Sequence, residues 1–121
     1  MLAPYRSLDA VLDEAASLGR ASTYGVSAEG RPLLAVELGD SGPLLQVTAA
    51  IHGVEFIGVE VALEVLRRGA IPGARLRVCP VLNPDAHAAT WAAGGEGTVG
   101  ALRKNARGVD LNRNFPLPWS A

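Results

Sequence analysis

The sequence predicts an α/β fold: a mixed, mainly parallel sheet with flanking helices. Three observations carry this. Residues 21–38 hold two extended runs either side of the turn Ala28-Glu29-Gly30-Arg31, the pattern of an antiparallel hairpin. Leu44 to Ala50 is an apolar run that reads as a buried strand, and Arg75 to Leu82 reads as another strand, with Leu76, Val78 and Pro80 alternating against Arg75, Arg77 and Cys79. Between them, Phe56 to Arg68 repeats its apolar residues at helical spacing, and strand, helix, strand in that order makes a right-handed crossover between parallel strands. A chain of 121 residues can bury one modest core, so residues 1–121 are read as a single domain.

In chain order, Ser7 to Leu18 reads as a helix. Ser7 can cap it, Leu8, Val11, Leu12, Ala15 and Leu18 share a face, and Gly19 is placed to end it. Ala21 to Ser27 and Pro32 to Leu38 are the hairpin strands, and Gly39-Asp40-Ser41-Gly42 is a polar break. The strand from Leu44 then runs into His52-Gly53-Val54-Glu55. In the next helix Ile57, Val61, Leu63, Val65 and Leu66 are apolar on most sides, as in a helix packed on a sheet. Gly69 and Pro72-Gly73 end it. The strand from Arg75 is stopped by Asn83-Pro84-Asp85. Ala86 to Gly108 is the least regular stretch, with a flexible loop expected at Gly94, Gly95 and Gly97. Val109 to Leu111 is expected to be extended or a very short strand.

Composition narrows the function classes. Hydrophobic residues make up 49% of the chain, which places it among folded domains. Eleven basic and twelve acidic side chains nearly cancel, and no basic stripe argues for nucleic acid or an anionic membrane surface. Arg103-Lys104-Asn105-Ala106-Arg107 is the densest basic cluster and, by itself, reads as a solvated loop. The single cysteine, Cys79, lies in an apolar run; it excludes an internal disulfide framework and agrees with a reducing compartment. Met1 to Arg6 lacks the pattern of a signal peptide and no stretch is long enough to span a bilayer, so a cytoplasmic location is expected.

His52 and Glu55 fall at the carboxyl end of a strand, where open α/β sheets place their ligands. An imidazole and a carboxylate three residues apart can reach one ion across a turn. They suit zinc, whose catalytic sites take three protein ligands and keep one position open. The pair is two thirds of such a site. By itself His-x-x-Glu is short, and a helix-capping loop with a solvated Glu55 is the plain alternative.

The motifs in order are Tyr24-Gly25-Val26-Ser27, Glu29-Gly30-Arg31-Pro32, His52-Gly53-Val54-Glu55, Asn83-Pro84-Asp85, Arg103-Lys104-Asn105 and Gly108-Val109-Asp110-Leu111-Asn112-Arg113-Asn114-Phe115. This series resembles the zinc carboxypeptidases of the carboxypeptidase A type, and its short spacing and lack of disulfides look like their bacterial, murein-peptide-processing branch. The resemblance implies an α/β/α domain that binds Zn2+. It implies His52 and Glu55 as two zinc ligands and Asp110 as the carboxylate that holds the first ligand's imidazole. It implies Arg103 as the cation that polarises the scissile carbonyl and steadies the oxyanion. Asn112 and Arg113 then bind the substrate's terminal carboxylate, for which a guanidinium offers two parallel hydrogen bonds. The implied partner is a peptide, or a peptidoglycan-derived peptide, with a free C-terminal carboxylate.

The family pattern places a third zinc ligand, a His, well downstream of the Asn-Arg pair, with a glutamate general base and a substrate-closing tyrosine beyond. The resemblance therefore covers about the first half of such a domain, and this chain alone is expected to show no appreciable turnover. Half a sheet leaves an open edge and a bare apolar face, so self-association or a missing C-terminal half is expected. Among substitutes for the missing groups, His87 follows Asn83-Pro84-Asp85-Ala86 at the end of a neighbouring strand, where the family has no ligand; a surface or core imidazole is the plainer reading. Glu60 and Glu64 read as helix-surface charges, and Glu96 sits in the glycine loop. Two further readings stand beside the peptidase. Acyl-amino-acid deacylases of the aspartoacylase and desuccinylase type share the His-Gly-x-Glu and Asp-Leu-Asn-Arg segments, whereas a non-catalytic binding module would keep only the carboxylate clamp.

Overall fold

Residues 5–95 and 102–116 are described by the structure, a computed structural model. Helix α1 spans Leu8–Ser17, strands β1 and β2 span Arg20–Val26 and Pro32–Leu38, and β3 spans Leu44–Thr48. Helix α2 (Phe56–Arg67), strand β4 (Arg75–Cys79), helix α3 (Pro84–Ala92) and a 3-10 turn (Leu111–Arg113) follow. Ser7 caps α1 as its residue type predicts, its hydroxyl accepting from the Ala10 amide at 3.2 Å. Ser7→Ala is expected to cost about 1 kcal/mol, read as a lower urea midpoint at unchanged slope.

The four strands form one mixed sheet in the order β1-β2-β4-β3. The expectation that it is mainly parallel is corrected: β1/β2 and β2/β4 are antiparallel, and only β3/β4 is parallel. The cause is where the crossover lands. Helix α2 returns the chain so that β4 lies between β3 and the hairpin, and hairpin strand β2 becomes an antiparallel neighbour of β4. Val36 and Val47 both stand beside Val78, which sets one line of apolar side chains across three strands. The core is built on that line. Val36, Leu76 and Val78 meet Leu8, Val11 and Ala15 of α1 and Val59, Ala62, Leu63 and Leu66 of α2. The opposite face carries the cross-strand Glu37–Arg77 ion pair at 2.8 Å and an open groove of about 450 Å³ bordered by Tyr24, Gln46 and Cys79. Cys79 is buried, as its apolar run predicts.

Two local expectations are revised. Residues 86–92, read as irregular, belong to α3. Asn83 caps it by accepting from the Ala86 amide at 3.2 Å, and Pro84 takes the first turn, where its missing N–H costs nothing. The same Asn-Pro-Asp reads as a stop after β4 because α3 turns buried polar groups inward, among them Asp85, His87 and Thr90, and so has no apolar stripe to announce it. Of the two readings of residues 109–111, the short strand is not formed and the extended one holds at Asp110, after which the chain turns into the 3-10 helix from Leu111. Of the predicted glycine loop, Gly94 and Gly95 have positive φ, whereas Gly97 lies outside the described residues.

Candidate metal and carboxylate site

The site begins where β3 ends. Ala50 takes φ +52°, a left-handed conformation uncommon for alanine, and is buried there. The Leu82 amide donates to Ala49 O at 2.9 Å and the Asn83 amide to Ala50 O at 3.0 Å, so the segment between β4 and α3 holds this kink in place. The kink delivers a turn closed by the Glu55 amide on His52 O at 3.2 Å. The Asn83 carboxamide steadies its entrance by donating to Ile51 O at 3.2 Å. Gly53 lies flat against α3: a Cβ there would stand 2.4 Å from Ala86 O and 2.5 Å from Thr90 Oγ1. The Tyr5 hydroxyl donates to Gly53 O, and the Gly53 amide donates to Leu102 O at 3.1 Å.

This turn fixes His52 between two carboxylates. Its Nδ1 faces Glu55 Oε1 at 2.9 Å and its Nε2 faces Asp110 Oδ1 at 2.9 Å, with the residue only 5% exposed. Burial alone would push the His52 pKa down; the hydrogen bonds and charge of Asp110 and Glu55 outweigh it and hold it above the ordinary histidine value. The Asp110 carboxyl is held below its ordinary value by the His52 hydrogen bond, aided by the Asn112 amide and the Arg103 charge against a smaller opposing effect of desolvation. Asp110 Oδ2 lies 3.2 Å from the Arg103 guanidinium. Asp110 also caps the 3-10 turn, accepting from the Asn112 amide at 3.0 Å. Arg113 is in the same turn and donates from its guanidinium to Asn112 O at 3.0 Å. His52, Glu55, Asp110 and Arg103 are thus joined by direct contacts, and Asn112 and Arg113 sit on the turn that Asp110 starts.

The His52–Glu55 pair fits a zinc ion. Two ligands of a tetrahedral zinc stand about 3.4 Å apart, given metal–ligand distances near 2.1 Å. Nδ1 and Oε1, at 2.9 Å, are within about half an ångström of that spacing. A ring that donates Nε2–H to Asp110 would offer a metal its Nδ1 lone pair once the Nδ1 proton shared with Glu55 is lost. Among the described residues no set of three His, Cys, Asp or Glu side chains is placed to hold a metal.

His87 does not join the pair. It is 1% exposed, packs against Tyr5 with ring centroids 4.7 Å apart and the planes tilted by 31°, and its Nε2 donates to Arg6 O at 2.8 Å. Burial pushes its pKa down, which keeps the ring neutral. Glu60 forms a two-point ion pair with Arg6, at 2.8 and 3.1 Å. Glu64 pairs with Arg67 and Arg68 on the helix surface. Glu96 lies outside the described residues.

Sequence reasoning missed three supports of the site. Gly53 is inside the quoted His52–Glu55 motif, but only the nearness of Ala86 O and Thr90 shows why it is glycine. Tyr5 stood in a stretch read only for targeting signals. Asp85 appeared as part of a strand stop, yet it is 4% exposed and binds the hairpin turn: Ser27 Oγ at 2.6 Å, the Glu29 amide at 3.1 Å and Arg31 Nη1 at 2.9 Å. The motifs Glu29-Gly30-Arg31 and Asn83-Pro84-Asp85 were each legible; their contact was not, because nothing local ties residues 54 positions apart.

The sequence profile of the zinc carboxypeptidase family matches residues 5–70 and 71–121. The catalytic chain of human carboxypeptidase N is 34% identical over 133 aligned residues, which cover 92% of this chain and 29% of the relative. Carboxypeptidase D of Anas platyrhynchos is 28% identical over 86% of this chain and 9% of its own length. The crystal structure of carboxypeptidase A from Helicoverpa armigera superposes with a TM-score of 0.74 at 20% identity, over 96% of this chain and 35% of that one, a likeness of fold. The chain therefore spans under a third of the length of these curated relatives. A family profile matched over nearly every residue, with a relative above 30% identity over most of the chain, leaves one conclusion: this chain belongs to the zinc carboxypeptidase family.

Proposed function

We propose that this chain carries the His52–Glu55 half of a metallocarboxypeptidase zinc site, for hydrolysis of a peptide bond next to a free C-terminal carboxylate. The observation that carries the reading is His52 held between Glu55 and Asp110, with Arg103 against the same aspartate. When bound, zinc lowers the pKa of a water and polarises the scissile carbonyl. The chain's own residues do the rest of the named work. Asp110 keeps the proton on Nε2 and the ring oriented. Arg103 supplies positive charge for a developing oxyanion and Arg113, with Asn112, grips the terminal carboxylate. Peptides derived from peptidoglycan are the substrate class that the bacterial-branch resemblance favours, with a cytoplasmic site of action. No turnover is proposed for the chain alone, because its described residues offer His52 and Glu55 no third ligand.

Calorimetric titration of the chain with zinc tests the metal half. Binding is expected to be weak, lost in His52→Ala and reduced about 10- to 100-fold in Asp110→Ala, the usual effect of removing a carboxylate behind a ligating histidine. Zinc binding unchanged by either substitution would sink the assignment. Chelator-sensitive release of a C-terminal residue by the purified chain would overturn the proposed inactivity. A peptide whose affinity is indifferent to C-terminal amidation would remove the Asn112–Arg113 clamp. The deacylase reading has less support, because the curated relatives reported above are carboxypeptidases.

A further inference from the structure

We infer that Asn105 is a positioning residue, whose carboxamide oxygen staples the loop that brings Arg103 and Asp110 to His52. The inference rests on the site reading above and concerns a residue to which that reading gives no role. Asn105 closes the loop Asn105–Val109 by four hydrogen bonds. Its Oδ1 accepts from the Arg107 amide at 3.0 Å and from the Val109 amide at 2.9 Å, using both lone pairs of the oxygen. Its own amide donates to Val109 O at 2.8 Å, and its carbonyl accepts from the Gly108 amide at 3.0 Å. Gly108 makes the return possible at φ +77°, a conformation that other residues adopt at a cost.

What the staple holds gives it a function. Arg103 comes two residues before the closed loop and Asp110 one residue after it, so closing the loop sets the two side chains face to face at 3.2 Å. Just before Arg103, Leu102 O accepts from the Gly53 amide at 3.1 Å, which ties the base of the loop to the His52 turn. Asp110 then presents its other oxygen to His52 Nε2 at 2.9 Å. The Asn105 side-chain oxygen, which touches none of the four site groups, thus adds two hydrogen bonds to the two backbone bonds that close the loop between Arg103 and Asp110. Without it, a loop containing Gly108 loses its register, and Asp110 and Arg103 lose their shared placement.

Proton NMR of the whole 121-residue chain tests this without zinc or substrate, so its failure leaves the peptidase reading standing and the reverse also holds. The signal is the imidazole Nε2–H of His52, slowed in its exchange with water by the bond to Asp110. The Nε2–H of His87, donated to Arg6 O, is the internal control in the same spectrum. Asn105→Ala is expected to lose the His52 signal and keep that of His87. Asn105→Asp retains both acceptor lone pairs and is expected to keep both signals. A His52 signal that survives Asn105→Ala overturns the inference, as does its loss in Asn105→Asp. Loss of both signals in Asn105→Ala assigns the residue to general stability and overturns it too. In the unmodified chain, the Arg107 and Val109 amides should exchange on the order of tenfold more slowly than unpaired amides; free exchange at both would refute the staple directly.

Discussion

Asp85→Ala is expected to destabilise the chain by about 3 kcal/mol, measured by urea denaturation. The carboxylate is nearly inaccessible and takes hydrogen bonds from Ser27 Oγ, the Glu29 amide and the Arg31 guanidinium. Removing it strands a hydroxyl, an amide and a charge at once. Breaking a buried pair typically costs 3–5 kcal/mol, and the lower end applies because the Arg31 side chain keeps 34% exposure and can rehydrate. The same group makes stability depend on pH. Burial alone would raise the Asp85 pKa, but the Ser27, Arg31 and Glu29 hydrogen bonds outweigh it and hold the carboxyl below its ordinary value. A folded-state pKa below the unfolded one means that the unfolded chain binds more protons in the acid range. The contribution is therefore complete above the unfolded aspartate pKa, near 4, and is lost as pH falls through the folded value. Asp85→Asn should flatten the acid limb of the stability curve below about pH 5. An acid limb as steep as that of the unmodified chain would show that Asp85 is not the linked group.

The fold was legible where burial has a period. Helix α2 and strand β4 announce themselves by apolar spacing, and Ser7 and Gly19 bound α1 by their backbone chemistry; β3, read from its apolar run as a buried strand, is instead the edge of the sheet, with Leu44 and Leu45 exposed. Helix α3 was illegible for the converse reason: its inward side carries Asp85, His87 and Thr90, buried because each finds a hydrogen-bond partner, and hydropathy cannot see partners. The sheet's mixed character could be read from the hairpin and the crossover. Which strand β4 would join could not, because insertion between β2 and β3 or addition outside β3 satisfies the same local pattern. At the site, His52 and Glu55 were legible as a pair because one turn joins them. Asp110 and Arg103 entered only through resemblance, since the loop that returns them to His52 is built from hydrogen bonds of Asn105 and has no hydrophobic signature.

The strictest test of the site's scaffold is Gly53→Ala, expected to cost about 3 kcal/mol in urea denaturation and to displace His52. Gly53 has no need of glycine's conformational range, since its φ is not positive. Its requirement is space: the added methyl would sit 2.4 Å from Ala86 O, a backbone atom of α3 that cannot rotate away, and 2.5 Å from Thr90 Oγ1. Thr90 is itself committed, donating to Ala86 O at 2.7 Å. The turn must then lift from the helix, and lifting it breaks the Tyr5 bond to Gly53 O and the Gly53 bond to Leu102 O together. Overpacking usually costs 1–3 kcal/mol; two lost hydrogen bonds place this substitution at the top of that range. Gly30→Ala is the control, because Gly30 has φ +81° but open space around its missing Cβ. It should cost only the left-handed strain of an alanine, about 1 kcal/mol, and leave His52 where it is. If the two substitutions cost the same, the close approach of the His52 turn to α3 is not what holds the turn. If Gly53→Ala alone weakens zinc binding, the metal pair depends on that contact, and the glycine between His52 and Glu55 is as much a part of the site as its ligands.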